Sequence, residues 1–186
     1  MVLILLIVAL VVAGWFYFSY AAVIKAKNMA REASSGIDVQ LRKRYDLIPN
    51  ILTIAQKFME HEKGLIEEIT KLRTMAMNAK AGTSASMAAN AQLDSLLGQL
   101  KVSVENYPNL KSDETMVQAM QTYNEVEEHI AAARRFYNSA LTQLRNATQI
   151  YPGTMFSNLA TEELAFVYYE TDASTKAPIN ASHYLK

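Results

Sequence analysis

Residues 1–24, MVLILLIVALVVAGWFYFSYAAVI, form an apolar run broken only by Gly14 and Ser19, with no formal side-chain charge. As a helix at ~1.5 Å per residue the run reaches ~36 Å, enough to cross a hydrocarbon core of ~30 Å. A cleaved signal peptide is the rival reading, with the small residues of SYA at 19–21 as a cleavage site. A charged n-region is missing and the apolar stretch outruns a usual h-region, which favours a retained anchor. Trp15, Phe16, Tyr17, Phe18 and Tyr20 gather at the C-terminal end of the run, just before Lys25, Lys27 and Arg31. Trp15, Tyr17 and Tyr20 read as an interfacial aromatic belt, and Lys25 and Lys27 as the start of a positive-inside flank. The expectation is a single pass, with the N-terminus outside and the chain cytoplasmic from about residue 25.

The remainder is predicted to be helical. Only 6 glycines and 4 prolines occur in 186 residues, and no strand pattern competes with the helical periodicity. Residues 30–79 read as one long helix, with SSG at Ser34–Gly36 as its weakest point. Residues set ~100° apart place Ile37, Leu41, Tyr45, Leu47, Ile48, Ile51, Leu52, Ile54, Ala55, Phe58 and Met59 on one half of that cylinder. Leu65, Ile66, Ile69, Leu72 and Ala76 continue the face. KAGTSAS then supplies a connection whose serines can cap a helix running from Met87 to about Val104. NYPNLKSD ends that helix at Pro108. A further helix is predicted from Asp113 to Ile150, closed by YPG at 151–153, and ELAFVYYE is expected to fold back as a short fourth helix. The predicted class is all-α: an N-terminal transmembrane helix (1–24), an elongated antiparallel helical bundle of three long or medium helices plus a short C-terminal one (25–170), and an irregular tail (171–186).

Pro49 stands inside the densest part of the apolar half-cylinder. It lacks an N–H and crowds the carbonyl of Tyr45, at a cost of ~3 kcal/mol in a straight helix. Packing of the neighbouring helices is expected to hold a kink there, with the freed carbonyl turned toward water; a hinge is the functional alternative. Arg44 falls within the apolar half, whereas Asp46 and Asn50 fall on the polar half. Glu127 and Arg134 lie seven residues apart on the margin of the apolar arc of the 113–150 helix, and Glu62 and Arg73 repeat the trend earlier in the chain. A desolvated guanidinium requires a partner, so these charges are expected either to snorkel at the stripe's edge or to pair between helices and fix register.

The motifs IDVQLRKRYDLIPNIL, HEK, YPNLK, EEHIAAARRFYN and YP, in that order, resemble the bacterial LemA family. The resemblance runs from the anchor to about Pro152; beyond it only FVYYE is suggestive, and LRN at Leu144–Asn146 departs from the family's usual YN pair. It implies single-pass anchoring, a four-helix arrangement and no established catalytic activity. The family includes a magnetosome-membrane relative linked to membrane biogenesis, and its members often accompany membrane peptidases. Tyr137 and Asn138, within the FYN of the third helix, join Arg44, Tyr45, Asp46, Pro49, Asn50, Glu62, Arg73, Glu127 and Arg134 as structural or interface candidates.

Chemistry is hard to place in this chain. No Cys occurs, so thiol nucleophiles and Cys-based metal sites are excluded. A di-iron bundle needs Glu-x-x-His motifs, and His61 and His129 are preceded at that spacing by Phe58 and Val126. Glu125 and His129 share one helix turn, and a solvated pair is the simpler account. HEK lacks the second His of the zinc-protease motif. The 18 basic and 18 acidic residues cancel, so no basic field points to nucleic acid. The expected protein is non-enzymatic, without catalytic residues, cofactor or metal. Its partners are membrane lipid, further copies of itself, and in the alternative an envelope protein such as a peptidase. The stripe along the long helix is wider than one antiparallel neighbour would cover, which motivates the expectation of self-assembly.

Overall fold

The computed structural model describes residues 1–80 and 82–169; the expected irregular tail lies outside them. Its helices are α1 (Val2–Gln56), α2 (Lys63–Asn78), α3 (Ser84–Glu105), the single turn α4 (Pro108–Lys111), α5 (Glu114–Gln149), a 3-10 helix (Gly153–Ala160) and α6 (Thr161–Leu164). Among the described residues there is no strand.

The apolar run and the first bundle helix are one uninterrupted helix. Ser34, Ser35 and Gly36, expected to be its weakest point, remain helical. A glycine costs a helix ~1 kcal/mol, while burying an Ile or Leu is worth ~1.5–3 kcal/mol each. Ala33, Ile37 and Leu41 are all buried at this level, so packing outweighs propensity. The helix predicted over 30–79 breaks later, between Gln56 and Lys63, where no Pro or Gly marks the end. Met59 is fully buried in that turn, and Ile66, Ile69, Leu72 and Ala76 of the returning α2 join the same core. The reversal serves this tertiary burial and has no strong local signal.

Helices α1, α2, α3 and α5 run up, down, up and down. The α2–α3 turn contains Gly82 at φ +78°, a left-handed conformation that favours glycine; an added Cβ would also meet Phe166 and the Tyr137 hydroxyl at 3.3 Å. The cap of α3 is Thr83, whose hydroxyl accepts from the backbone N–H of Ser86, so the expected serine caps are replaced by a threonine. Asp113 caps α5 in the same way, accepting from Met116 N–H at 3.0 Å.

The α2–α3 hairpin flanks only the upper part of α1. Lower down, α1 packs against α5 through small residues, with Ala26, Ala30, Leu144 and Ala160 forming a second, smaller core. ELAFVYYE does not form the expected helix. Only Thr161–Leu164 is helical, and the chain from Phe166 to Tyr169 crosses α5 as an extended strap.

Candidate functional site

Pro49 removes the N–H that would have bonded the Tyr45 carbonyl, and α1 nevertheless stays helical through it. The freed carbonyl does not turn to water. Arg73, arriving on α2, donates its Nε–H to Tyr45 O at 2.6 Å. A side chain 28 residues away thus replaces the missing rung of the helix. Of the two marginal charges, Arg73 thus bonds between helices, whereas Glu62 is the N-cap residue of α2 and makes no ion pair among the described residues.

One residue earlier, Arg44 is 0% exposed and is the centre of a polar network joining three helices. Its guanidinium donates to Asp94 and Asn90 of α3 and, at 3.3 Å, to Glu127 of α5. Asp94 also accepts from Arg134 of α5 at 3.2 Å. Two cations and two carboxylates therefore balance. Asn90 is held in turn by the Tyr45 hydroxyl, which donates to its Oδ1 at 2.7 Å, while its own amide donates to Ser86 O at 2.8 Å. Ser86 and Asn90 are buried; Asp94, Glu127 and Arg134 are partly exposed, so the network has a dry end and a wet one.

Burial alone would lower the pKa of Arg44; Asp94, then Glu127, outweigh it and hold the guanidinium above its ordinary value. Tyr123 beside Glu127 is pushed up by burial and by that carboxylate. Burial likewise raises Tyr45. A permanently charged donor enclosed by acceptors has no proton to exchange, and it fixes the register of α1, α3 and α5. Sequence reasoning reached Arg44, Tyr45, Glu127 and Arg134 but missed Ser86, Asn90 and Asp94. Their spacing of four, one polar seam along α3, was the available signal.

Tyr137 and Asn138 serve the strap. The Tyr137 hydroxyl donates to Val167 O at 3.0 Å, and Asn138 bonds both the carbonyl and the N–H of Tyr169, at 2.8 and 2.9 Å. Arg145 donates to Phe166 O at 2.9 Å and lies 4.3 Å from the Tyr168 ring. Asp46 and Asn50 are exposed, as are Glu125 and His129. Among the described residues no group of three or more His, Cys, Asp or Glu side chains is placed to hold a metal.

At the opposite end, α5 descends antiparallel to α1 and turns back at Tyr151–Gly153. The Tyr151 ring lies edge-on to Trp15 and Phe16, with centroids 5.7 and 6.3 Å away, and Phe156 of the 3-10 helix does the same to Tyr20 at 5.5 Å. Among the described residues Tyr17 pairs with the Phe18 ring alone. Gly153 is required by close approach, since a Cβ there would sit 1.9 Å from the Ala147 carbonyl oxygen. Of the two flanking lysines, Lys25 is exposed, and Lys27 is partly buried and donates to Leu159 O at 2.5 Å. Arg31 pairs with the buried carboxylate of Glu163.

These features define a helical bundle built directly on a helix long and apolar enough to cross a membrane, clamped internally by a buried arginine. The sequence profile of the LemA family matches residues 33–181, and the chain belongs to that family. It is similar to Protein LemA of Metamycoplasma hominis, 25% identical over 155 residues, which cover 81% of this chain and 69% of that one.

Proposed function

We propose that this protein is a single-pass, non-enzymatic structural protein that scaffolds or shapes a bacterial membrane, its bundle cytoplasmic and neighbouring copies assembled side by side. The observation carrying the reading is α1 itself: one helix of 55 residues runs from the apolar segment into the bundle core without a linker. Force or tilt at the membrane therefore reaches the bundle through continuous hydrogen-bonded backbone. Lateral assembly would use the apolar segment, where Ala9 and Ala13, four residues apart, allow close helix approach.

A second reading, a monomeric adaptor presenting the bundle to an envelope enzyme such as a peptidase, is favoured by a different observation. The wide stripe of α1 that motivated self-assembly is buried within one chain, because α5 as well as the α2–α3 hairpin packs against it. Mass measurement of the full-length protein in detergent and in lipid nanodiscs separates the two. Assembly predicts oligomers and ordered arrays on densely loaded liposomes; a strict monomer with particles scattered on smooth vesicles leaves the adaptor. Orientation is tested with Val102→Cys, an exposed position in a chain without cysteine, which a membrane-impermeant thiol reagent should not label in intact cells.

A further inference from the structure

The turn from α5 into the 3-10 helix exposes three large apolar side chains close together in sequence: Ile150 (67%), Tyr151 (58%) and Met155 (59%). They belong to NATQIYPGTMFSNLAT, residues 146–161, which carry no formal charge. That is the longest charge-free stretch outside the apolar run, and charge resumes only with Arg145 on one side and Glu162 on the other. A water-exposed corner has no reason to shed every charge while displaying Ile, Tyr and Met. Its place in the fold supplies one. Tyr151 packs on Trp15 and Phe16, and Phe156 on Tyr20, so the corner stands level with the aromatic end of the apolar helix rather than with the cationic residues after it.

We propose that this corner is a second membrane-contacting element, entering the same leaflet as the aromatic belt of α1. The occupant of the surface is the boundary between headgroups and acyl chains. From Tyr20 back to Trp15 the helix rises ~7 Å at ~1.5 Å per residue. This matches the depth of ~5–10 Å at which interfacial elements bury their apolar faces. Uncharged polar residues around the turn, Gln149, Thr154 and Asn158, suit the headgroup layer. Gly153 lets the chain reverse tightly against the Ala147 carbonyl, and the Lys27 bond to Leu159 O leads it back out toward the charged flank. The bundle is thereby seated in the bilayer at two points instead of hanging from one.

The inference rests on α1 crossing the membrane and is independent of self-assembly, so the test uses nanodiscs holding one full-length copy each. The native chain has one tryptophan, Trp15. Its quenching by brominated lipid confirms insertion of α1, separately from the corner. In Trp15→Phe/Tyr151→Trp, and independently in Trp15→Phe/Met155→Trp, the sole tryptophan reports on the corner. The expected result is blue-shifted emission, quenched most by bromine near the headgroup end of the acyl chain and shielded from aqueous iodide. A control with the sole tryptophan at Phe136, exposed higher on α5, should be quenched by iodide. Iodide quenching of both corner reporters overturns the proposal. So does protection of both from iodide and bromine alike, which in a single-copy disc means that protein covers the corner.

Discussion

Helix α1 holds two halves made by different rules. From Val2 to Ala22 no side chain is buried and the helix is apolar all round. From Val23 onward the buried apolar positions fall on one stripe, mostly at spacings of three and four: Val23, Ala26, Ala30, Ala33, Ile37, Leu41, Tyr45, Ile48, Ile51, Leu52 and Ala55. The lower half has the pattern of a helix solvated by lipid, and the upper half that of one solvated by water on one side and protein on the other. Only the upper half carries a buried charge, Arg44. One backbone can therefore serve two solvents without a joint, provided that the polar groups of the buried half bring their own partners.

The sharpest way to break this comparison is to delete one side chain from each half. Arg44→Ala removes the fully buried cation that ties Asn90, Asp94 and Glu127 to α1, leaving a cavity and a partly exposed Glu127 without its partner, and should destabilise the bundle by ~2–4 kcal/mol. Phe18→Ala removes a larger apolar group that is 71% exposed within the chain and should leave bundle stability within ~0.5 kcal/mol. Asp46→Ala, an exposed neighbour of Arg44, should behave like Phe18→Ala. Denaturation of the detergent-solubilised protein, followed by circular dichroism, measures all three; equal losses would show that the clamp does not hold the helices together.

A smaller effect isolates Pro49. Arg73→Ala leaves the Tyr45 carbonyl without a donor and should cost ~1–2 kcal/mol. Pro49→Ala restores the backbone N–H to that carbonyl, so in its presence the Arg73→Ala penalty should fall below ~0.5 kcal/mol. A penalty unchanged between the two backgrounds would mean that Arg73 acts elsewhere.

The least perturbing test is pH. Tyr123 and Tyr137, on α5, and Tyr45 all have folded-state values raised above 10.0, chiefly by burial. The unfolded chain releases these phenolic protons first, so their contribution is fully present below pH ~10 and is lost as pH rises above it. Stability should be level toward neutral pH and fall on the alkaline side. Tyr45→Phe, which removes one titrating group along with its bond to Asn90, should flatten that fall while lowering stability at pH 7.

The division within α1 was legible because it is written in periodicity: an uncharged run, then a stripe. Arg44 stood out because it interrupts the stripe. Its partners on α3 did not, since Asn90 and Asp94 resemble solvated residues until the fold turns them toward α1. The real helix end was not legible, and the proline stood out in its place. Pro49 looked like the disruption and is compensated by Arg73, which bonds the Tyr45 carbonyl from 28 residues further along the chain. The break after Gln56 carries no Pro or Gly and follows from burial of Met59 and the return of α2. FVYYE read as helix because the bonds that hold Phe166–Tyr169 against α5 come from Tyr137, Asn138 and Arg145, far away in sequence.

The absence of a joint in α1 also makes the molecule a lever. The stretch from Val23 to Gln56 is ~50 Å long at ~1.5 Å per residue. A tilt of ~20°, average for a helix crossing a bilayer, swings the far end sideways by roughly 17 Å. Because a spanning helix changes its tilt to match hydrocarbon thickness, thinning or thickening the bilayer would be amplified into displacement of the Gln56 end, where α1 gives way to α2. In the proposed membrane-spanning arrangement the bundle would act as the pointer of a thickness gauge, pivoting where the aromatic belt and the Tyr151 corner share one leaflet.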